Sequence, residues 1–200
     1  MKATEIKLLS FLQKAPQFII PIYQRTYSWT EKECEQLWDD ILRAGGNKNI
    51  SAHFIGSVVY IEDGLSTVAT QSPLLVIDGQ QRLTTVSLLL EALARQITGP
   101  EPLDGFSAKK IRSYYLLNPL EDGDREFKLL LTQTDKDTLL ALVKQKELPA
   151  EQSIRIQENF EFFKQRITSY KDDDLVTLCK GISKLVIVDI ALNRDQDNPQ

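Results

Sequence analysis

The segment Leu74-Leu75-Val76-Ile77-Asp78-Gly79-Gln80-Gln81-Arg82 constrains the fold of this chain more tightly than any other. Leu74–Ile77 is an uninterrupted apolar run of the length a buried strand needs. Beyond Arg82 the apolar residues Val86, Leu89, Leu90, Leu93 and Ile97 recur on one helical face. A strand must therefore turn into a long helix within a few residues, and Gly79 supplies the conformational freedom for so tight a corner. A helix starting there leaves its first N–H groups without intrahelical partners, and the positive end of its dipole points beyond the strand. With Arg82 adding a planar donor fork, the corner suits a phosphate-bearing ligand. The same residues also fit a plainer reading, in which Asp78 caps the helix, Gly79 turns the chain and Arg82 lies on the surface. Spacing does not separate the two, although two glutamines and an arginine in one turn exceed what a cap requires.

Around this unit the remaining patterns predict an α+β protein. Gln17–Ile22 is apolar and interrupted by Pro21, which predicts a strand ending at a sheet edge or in a loop rather than a central one. Thr30 with Glu33 forms a capping-box pattern, opening a helix with Cys34, Leu37, Trp38, Ile41 and Leu42 on one face and Gly45-Gly46-Asn47 at its end. His53–Ile61 reads as a strand in which Gly56 marks a bulge or a close backbone approach, followed by a polar loop over Glu62–Ser72. Thr98-Gly99-Pro100-Glu101-Pro102 is the clearest punctuation, predicting an α/β core over residues 1–98 and a mostly helical extension over 99–200. In the extension the patterns predict helices at Ser107–Leu117, Thr134–Lys146 and Ser153–Tyr170, with a strand at Arg125–Leu131. A last helix opens on Asp172-Asp173-Asp174 and ends near Ser183, and Leu185–Leu192 follows as a strand apolar enough to be buried on both faces.

Composition excludes several function classes. No apolar run approaches the roughly 18 residues of a bilayer-spanning helix, and Met1–Lys14 lacks the features of a secretory signal, so a cytoplasmic protein without membrane contact is expected. The net charge of −4 is spread evenly, with 9 basic against 10 acidic residues in the first hundred positions and 15 against 18 in the second. Autonomous tight binding to duplex DNA is therefore disfavoured. A single histidine, His53, rules out metal chemistry built on paired histidines, and the two cysteines, Cys34 and Cys179, read as buried thiols. Walker loops, G-x-G-x-x-G turns and nucleophile elbows do not occur.

Two further segments carry polar chemistry. In Ile20-Pro21-Ile22-Tyr23-Gln24-Arg25-Thr26-Tyr27-Ser28-Trp29 the interleaved aromatics and arginine could stack on a base and hold phosphate, or simply bury their rings and expose polar tips. His53-Phe54-Ile55-Gly56-Ser57 places the lone histidine at a strand start, where it is structural or, if it faces the same cleft, suited to proton transfer or phosphate contact.

In this order and spacing, Ile20–Trp29, His53–Ser57 and Val76–Thr85 resemble the N-terminal domain family of GmrSD-type, type IV restriction endonucleases. The resemblance extends more loosely to about Asp197. It implies a ParB/sulfiredoxin-like mixed α/β core with a helical extension, and binding and hydrolysis of a nucleoside triphosphate with Mg²⁺ in a system that restricts modified phage DNA. The implied catalytic residues are Asp78, Gln80, Gln81 and Arg82, with nucleotide contacts from Tyr23, Gln24, Arg25, His53, Gly56 and Gly79 and no resident metal. Arg82 and the helix N-terminus would hold phosphates, Gln80 or Gln81 would orient a water, and Asp78 would fix the turn or assist the Mg²⁺. Sulfiredoxin-like redox chemistry is not expected, because Cys34 falls on a buried helix face. The family usually continues into a further helical segment and an HNH-type nuclease domain. The chain accordingly reads as a truncated member that meets DNA only within a longer protein or beside a partner nuclease, with oligomerisation left open. The alternative is a non-catalytic nucleotide- or DNA-binding interaction module.

Overall fold

The computed structural model describes residues 1–62 and 72–192. Among them the strands are β1 (Lys2–Lys7), β2 (Phe18–Ile19), β3 (His53–Glu62), β4 (Leu74–Asp78), β5 (Leu129–Leu130) and β6 (Leu185–Leu192). The α-helices are α1 (Leu8–Lys14), α2 (Glu31–Gly46), α3 (Gln80–Gln96), α4 (Ala108–Ile111), α5 (Gln133–Val143), α6 (Ile154–Thr168) and α7 (Asp172–Ser183). The six strands form one mixed sheet in the order β1-β6-β3-β4-β2-β5, so the class is α+β. Strands on both sides of Thr98–Pro102 share this sheet, and one hydrophobic core runs from Leu8 to Ile187. No helix among the described residues is long and apolar enough to cross a membrane. Most of the polar loop expected over Glu62–Ser72 lies outside the described residues.

The strand–turn–helix unit forms as the sequence predicts, but α3 departs from the one-faced helix its apolar stripe suggests. From Leu83 to Ala94 every residue of α3 is buried. Its small polar residues are compatible with this because each satisfies itself: the hydroxyls of Thr84, Thr85 and Ser87 donate to the carbonyls of Gln80, Gln81 and Leu83 at 2.9, 2.8 and 2.9 Å. Glu91 is fully buried and held by Arg95 and Arg112, whose guanidinium nitrogens lie 2.8 and 2.9 Å from its carboxylate oxygens. Helix α2 keeps its predicted apolar face and crosses α7 at backbone contact. A Cβ at Gly45 would sit 2.0 Å from the Thr177 carbonyl oxygen, and one at Gly181 would sit 2.0 Å from that of Ile41.

Other segments correct the sequence expectations. Strand β2 is confined to Phe18–Ile19 and lies inside the sheet between β4 and β5, not at an edge. Pro16 and Pro21 bracket it, yet the N–H groups of Phe18 and Ile20 still reach the carbonyls of Lys128 and Leu130 at 2.6 and 2.9 Å, while Gln17 accepts from Leu74 N at 2.8 Å. The strand expected over Arg125–Leu131 shrinks to β5, because Gly123–Glu126 is a 3₁₀ turn whose carbonyl at Asp124, with that of Phe127, accepts the Gln17 side-chain amide. The helix expected over Ser107–Leu117 forms one α turn and then widens into a π turn over Arg112–Leu116, and Arg112 there reaches Glu91.

At the other end of the sheet, β6 pairs antiparallel with β1 and parallel with β3. Only Leu185–Ile187 of β6 are fully buried; the rest is half-buried, because it lies against the exposed start of β1. Strand β1 itself went unpredicted, since Lys2–Lys7 shows no apolar alternation.

Candidate functional site

The β4–α3 corner is built by two glycines in conformations that side chains rarely adopt. Gly79 has φ +99° and ends β4; a Cβ there would press within 3.0 Å of the Ser57 carbonyl oxygen and Val58 Cγ2. Gly56 has φ +114° where the β3–β6 register shifts, which is the bulge or close approach expected of it. What approaches is Arg82, whose Nη1 would lie 1.7 Å from a Cβ at Gly56. That nitrogen donates to the Ile55 carbonyl at 3.1 Å, and Nη2 lies 3.9 Å from the carboxylate of exposed Asp78. The guanidinium is thus aimed along the corner rather than left on the surface. Gly79 offers no side chain to cap α3, so among the described residues the first-turn N–H groups of this 17-residue helix are served neither by a cap nor by the helix itself.

The corner opens into a cavity of about 780 Å³ lined by Gln24, Arg25, His53, Gly56 and Asp78 through Arg82. Of the ten positions singled out from sequence, Tyr23 alone does not line it; its ring is 72% exposed. Gln80 and Gln81 diverge. Gln81 accepts at Oε1 from the N–H groups of Ser28 and Trp29 at 2.9 and 3.2 Å and donates to the Thr26 carbonyl at 3.2 Å, so its amide is spent on holding the Thr26–Trp29 loop. Among the described residues the Gln80 amide donates only to Gln24, at 3.4 Å, and Gln24 in turn donates to the Ile77 carbonyl at 3.0 Å.

The aromatic loop before α2 is fixed from beneath. Tyr27 is buried, its hydroxyl shares a 2.7 Å hydrogen bond with that of Thr85, and Asn159 Nδ2 donates to the Tyr27 oxygen at 2.9 Å and to the Trp29 carbonyl at 2.8 Å. Asp135 accepts from Tyr27 N at 2.6 Å. Burial drives the Tyr27 hydroxyl far above the usual phenol range, and it stays protonated. This segment therefore buries its second tyrosine as structure while presenting Gln24, Arg25 and Trp29 to the cavity.

The facing wall comes from α2, whose Glu33, Gln36, Leu37 and Asp40 all line the cavity. Glu33 serves the capping box, accepting from Thr30 N and Oγ1 at 2.7 Å each, and these bonds hold its carboxyl below the ordinary value. Asp40 Oδ2 lies 3.4 Å from His53 Nε2, and Arg43 donates to Asp40 Oδ1 at 2.6 Å. Sequence reasoning did not assign these residues, or Phe54, to the site. The 0, 3, 4, 7 spacing of Glu33, Gln36, Leu37 and Asp40 marks one helical strip, but Glu33 is explained as a cap, Leu37 as core, and Gln36 and Asp40 carry no signal beyond polarity.

The lining sets the guanidiniums of Arg25 and Arg82 against the carboxylates of Glu33, Asp40 and Asp78. Among the described residues no group of three or more His, Cys, Asp or Glu is placed to hold a metal ion. Cys34 is buried, and desolvation pushes its thiol up to about 12, which removes the thiolate that redox chemistry would need. An uncapped helix N-terminus, two glycines and an oriented arginine around a cavity suit a phosphate group, and the apolar and aromatic surfaces of Trp29, Leu37 and Phe54 suit a flat ring.

None of the curated proteins compared with the chain matches it. The family described as the GmrSD restriction endonuclease, N-terminal domain, matches over residues 7–200, and the chain belongs to that family of restriction-system modules.

Proposed function

We propose that this chain binds and hydrolyses a nucleoside triphosphate and acts as a sensor or regulatory module of a restriction system directed at modified DNA. The uncapped N-terminus of α3, opening beside oriented Arg82 onto a cavity of about 780 Å³, carries the reading. That volume is in the range of ligand pockets. The first-turn N–H groups and Arg82 would take the terminal phosphates, with Arg25 as a second cation. Trp29, Leu37 and Phe54 would pack on the base. Gln80 is the glutamine with amide capacity left to orient a water, whereas Gln81 scaffolds the loop. Mg²⁺ would arrive on the phosphates rather than in a resident site, with exposed Asp78 at hand for one of its waters. DNA cleavage is assigned to a separate nuclease domain or partner. DNA binding by this chain alone is expected to be weak and strongly salt-dependent.

The second reading, a non-catalytic nucleotide-binding module, is favoured by the commitment of Gln81 to the loop backbone. Thermal melting with each common triphosphate plus Mg²⁺, followed by phosphate release, separates the two. Ligand at a hundredfold excess over Kd stabilises by about 2.7 kcal/mol. A rise in Tm that Arg82→Ala abolishes, with phosphate release, supports the hydrolase. A rise without release leaves the binding module, and no rise with any triphosphate refutes both.

A further inference from the structure

Gln80 can position a water but cannot take its proton. We propose that His53 is the proton acceptor for the attacking water and that Asp40 is the residue that positions it. The proposal rests on the triphosphate reading and deepens it.

His53 opens β3 two residues before Ile55, whose carbonyl holds Arg82. Two residues of strand span about 7 Å, which places the ring and the guanidinium along one wall of the same cavity. Its backbone N–H is tied to the Lys184 carbonyl at 2.9 Å, fixing the strand start. Asp40 approaches Nε2 at 3.4 Å from α2 and is itself braced by Arg43 at 2.6 Å. A carboxylate beside one ring nitrogen sets the tautomer and steadies the imidazolium, leaving the other nitrogen to accept a proton.

The competing bases are engaged otherwise. Glu33 is held below its ordinary value by the Thr30 cap, and Asp78 is exposed beside Arg82. The charged groups sharing the cavity with His53 are Asp40 and Glu33 from α2, Asp78 and Arg82 from the α3 corner, and Arg25 from the loop. The Lys184 ammonium is turned away onto the carbonyls of Ala44 and Asn47.

In the step, the water oxygen bonds to the γ-phosphorus while the bond to the β,γ-bridging oxygen breaks. The bridging electrons leave with the diphosphate, and the water proton passes to His53 and then to solvent. Nucleoside diphosphate and inorganic phosphate are the products.

Because His53 is the chain's single histidine, its imidazole NMR signals report on the pair without ambiguity. Triphosphate with Mg²⁺ is expected to shift those signals, and Asp40→Asn to change their positions at one fixed pH by removing the carboxylate beside Nε2. In hydrolysis, His53→Asn and His53→Gln are expected to lower kcat by about 10²- to 10⁴-fold, with Kd within about threefold and the acid limb of the kcat profile lost. Asp40→Asn is expected to lower kcat by about tenfold while keeping that limb and a Kd within about threefold, and it carries the test if both histidine variants fail to melt cooperatively. Should folded His53→Asn keep kcat within about threefold of wild type, the proposal falls while the hydrolase reading stands. Wild type that binds without hydrolysing overturns the proposal alone, and wild type that does not bind overturns both.

Discussion

Gly56→Ala tests whether the corner depends on the close approach of Arg82 to β3. At φ +114° an added Cβ is strained whatever the space, and such residues cost roughly 1–3 kcal/mol. The Cβ would also lie 1.7 Å from Arg82 Nη1, so the guanidinium must swing away and release the Ile55 carbonyl. The arginine is a flexible group with 22% of its side chain exposed, so solvent partly replaces the lost bond. We take about 1 kcal/mol for it, below the 1.5–3 kcal/mol of a fully buried charged hydrogen bond. The substitution should therefore cost about 2–4 kcal/mol, equivalent to a fall in Tm of about 4–16 °C for a chain of this size. Urea denaturation of the single and double variants checks the cause. With Arg82→Ala already in place the displaced group is gone, and Gly56→Ala should cost only the backbone strain, leaving a coupling of about 1 kcal/mol. Additivity to within about 0.3 kcal/mol would refute the reasoning, because the glycine would then serve the backbone and not the arginine.

Three other outcomes follow from the packing. Gly181→Ala, whose Cβ would meet the Ile41 carbonyl oxygen at 2.0 Å, should destabilise by about 2–3 kcal/mol in urea titrations, whereas Gly46→Ala, with nothing within 4 Å, should stay within about 0.5 kcal/mol. Arg112→Ala removes one of two cations from fully buried Glu91 and should cost about 3 kcal/mol by the same assay, the lower end for a broken buried pair because Arg95 remains. Lys128 is buried, and desolvation lowers its pKa in the fold, so between that lowered value and its ordinary 10.5 this group binds more protons in the unfolded chain and its contribution to stability should rise with pH. Because the raised Cys34 and Cys179 thiols lower stability with pH in both proteins over the same window, the check is the difference in urea midpoint between wild type and Lys128→Met, which should grow as pH rises.

How much could be read from the sequence depended on whether a residue's partners are local. The corner was legible because strand length, helical period and a glycine–arginine spacing all lie within Leu74–Ile97, and nine of the ten candidate positions do line one cavity. Helix α2 and the bulge at Gly56 were legible for the same reason. The all-round burial of α3 was hidden because Thr84, Thr85 and Ser87 look polar until their hydroxyls are seen to turn back on the helix. Strand β1 has no apolar alternation of its own and exists through pairing with β6, some 185 residues away along the chain. In the site, Gln81 and Gln80 are adjacent and chemically identical, and only long-range contacts to the Thr26–Trp29 loop separate scaffold from free amide. Asp135 and Asn159 anchor that loop from α5 and α6, and no spacing within their own helices marks them. Asp40 carried no signal beyond polarity until β3 brought His53 against it.

In the proposed function the first turn of α3 and Arg82 take the phosphates of a nucleotide. The most direct measurement follows the backbone amide signals of Gln80, Gln81 and Arg82, with the Arg82 Nε–H signal, by ¹⁵N-correlated NMR during titration with a triphosphate and Mg²⁺. These four signals are expected to move together and saturably, and more than amides of β1 or α7 far from the cavity. In Gly56→Ala, which displaces the guanidinium, the titration should weaken at least about tenfold, the factor that corresponds to 1.4 kcal/mol. A nucleotide that saturates elsewhere on the protein while these four signals stay fixed would contradict this placement of the phosphates.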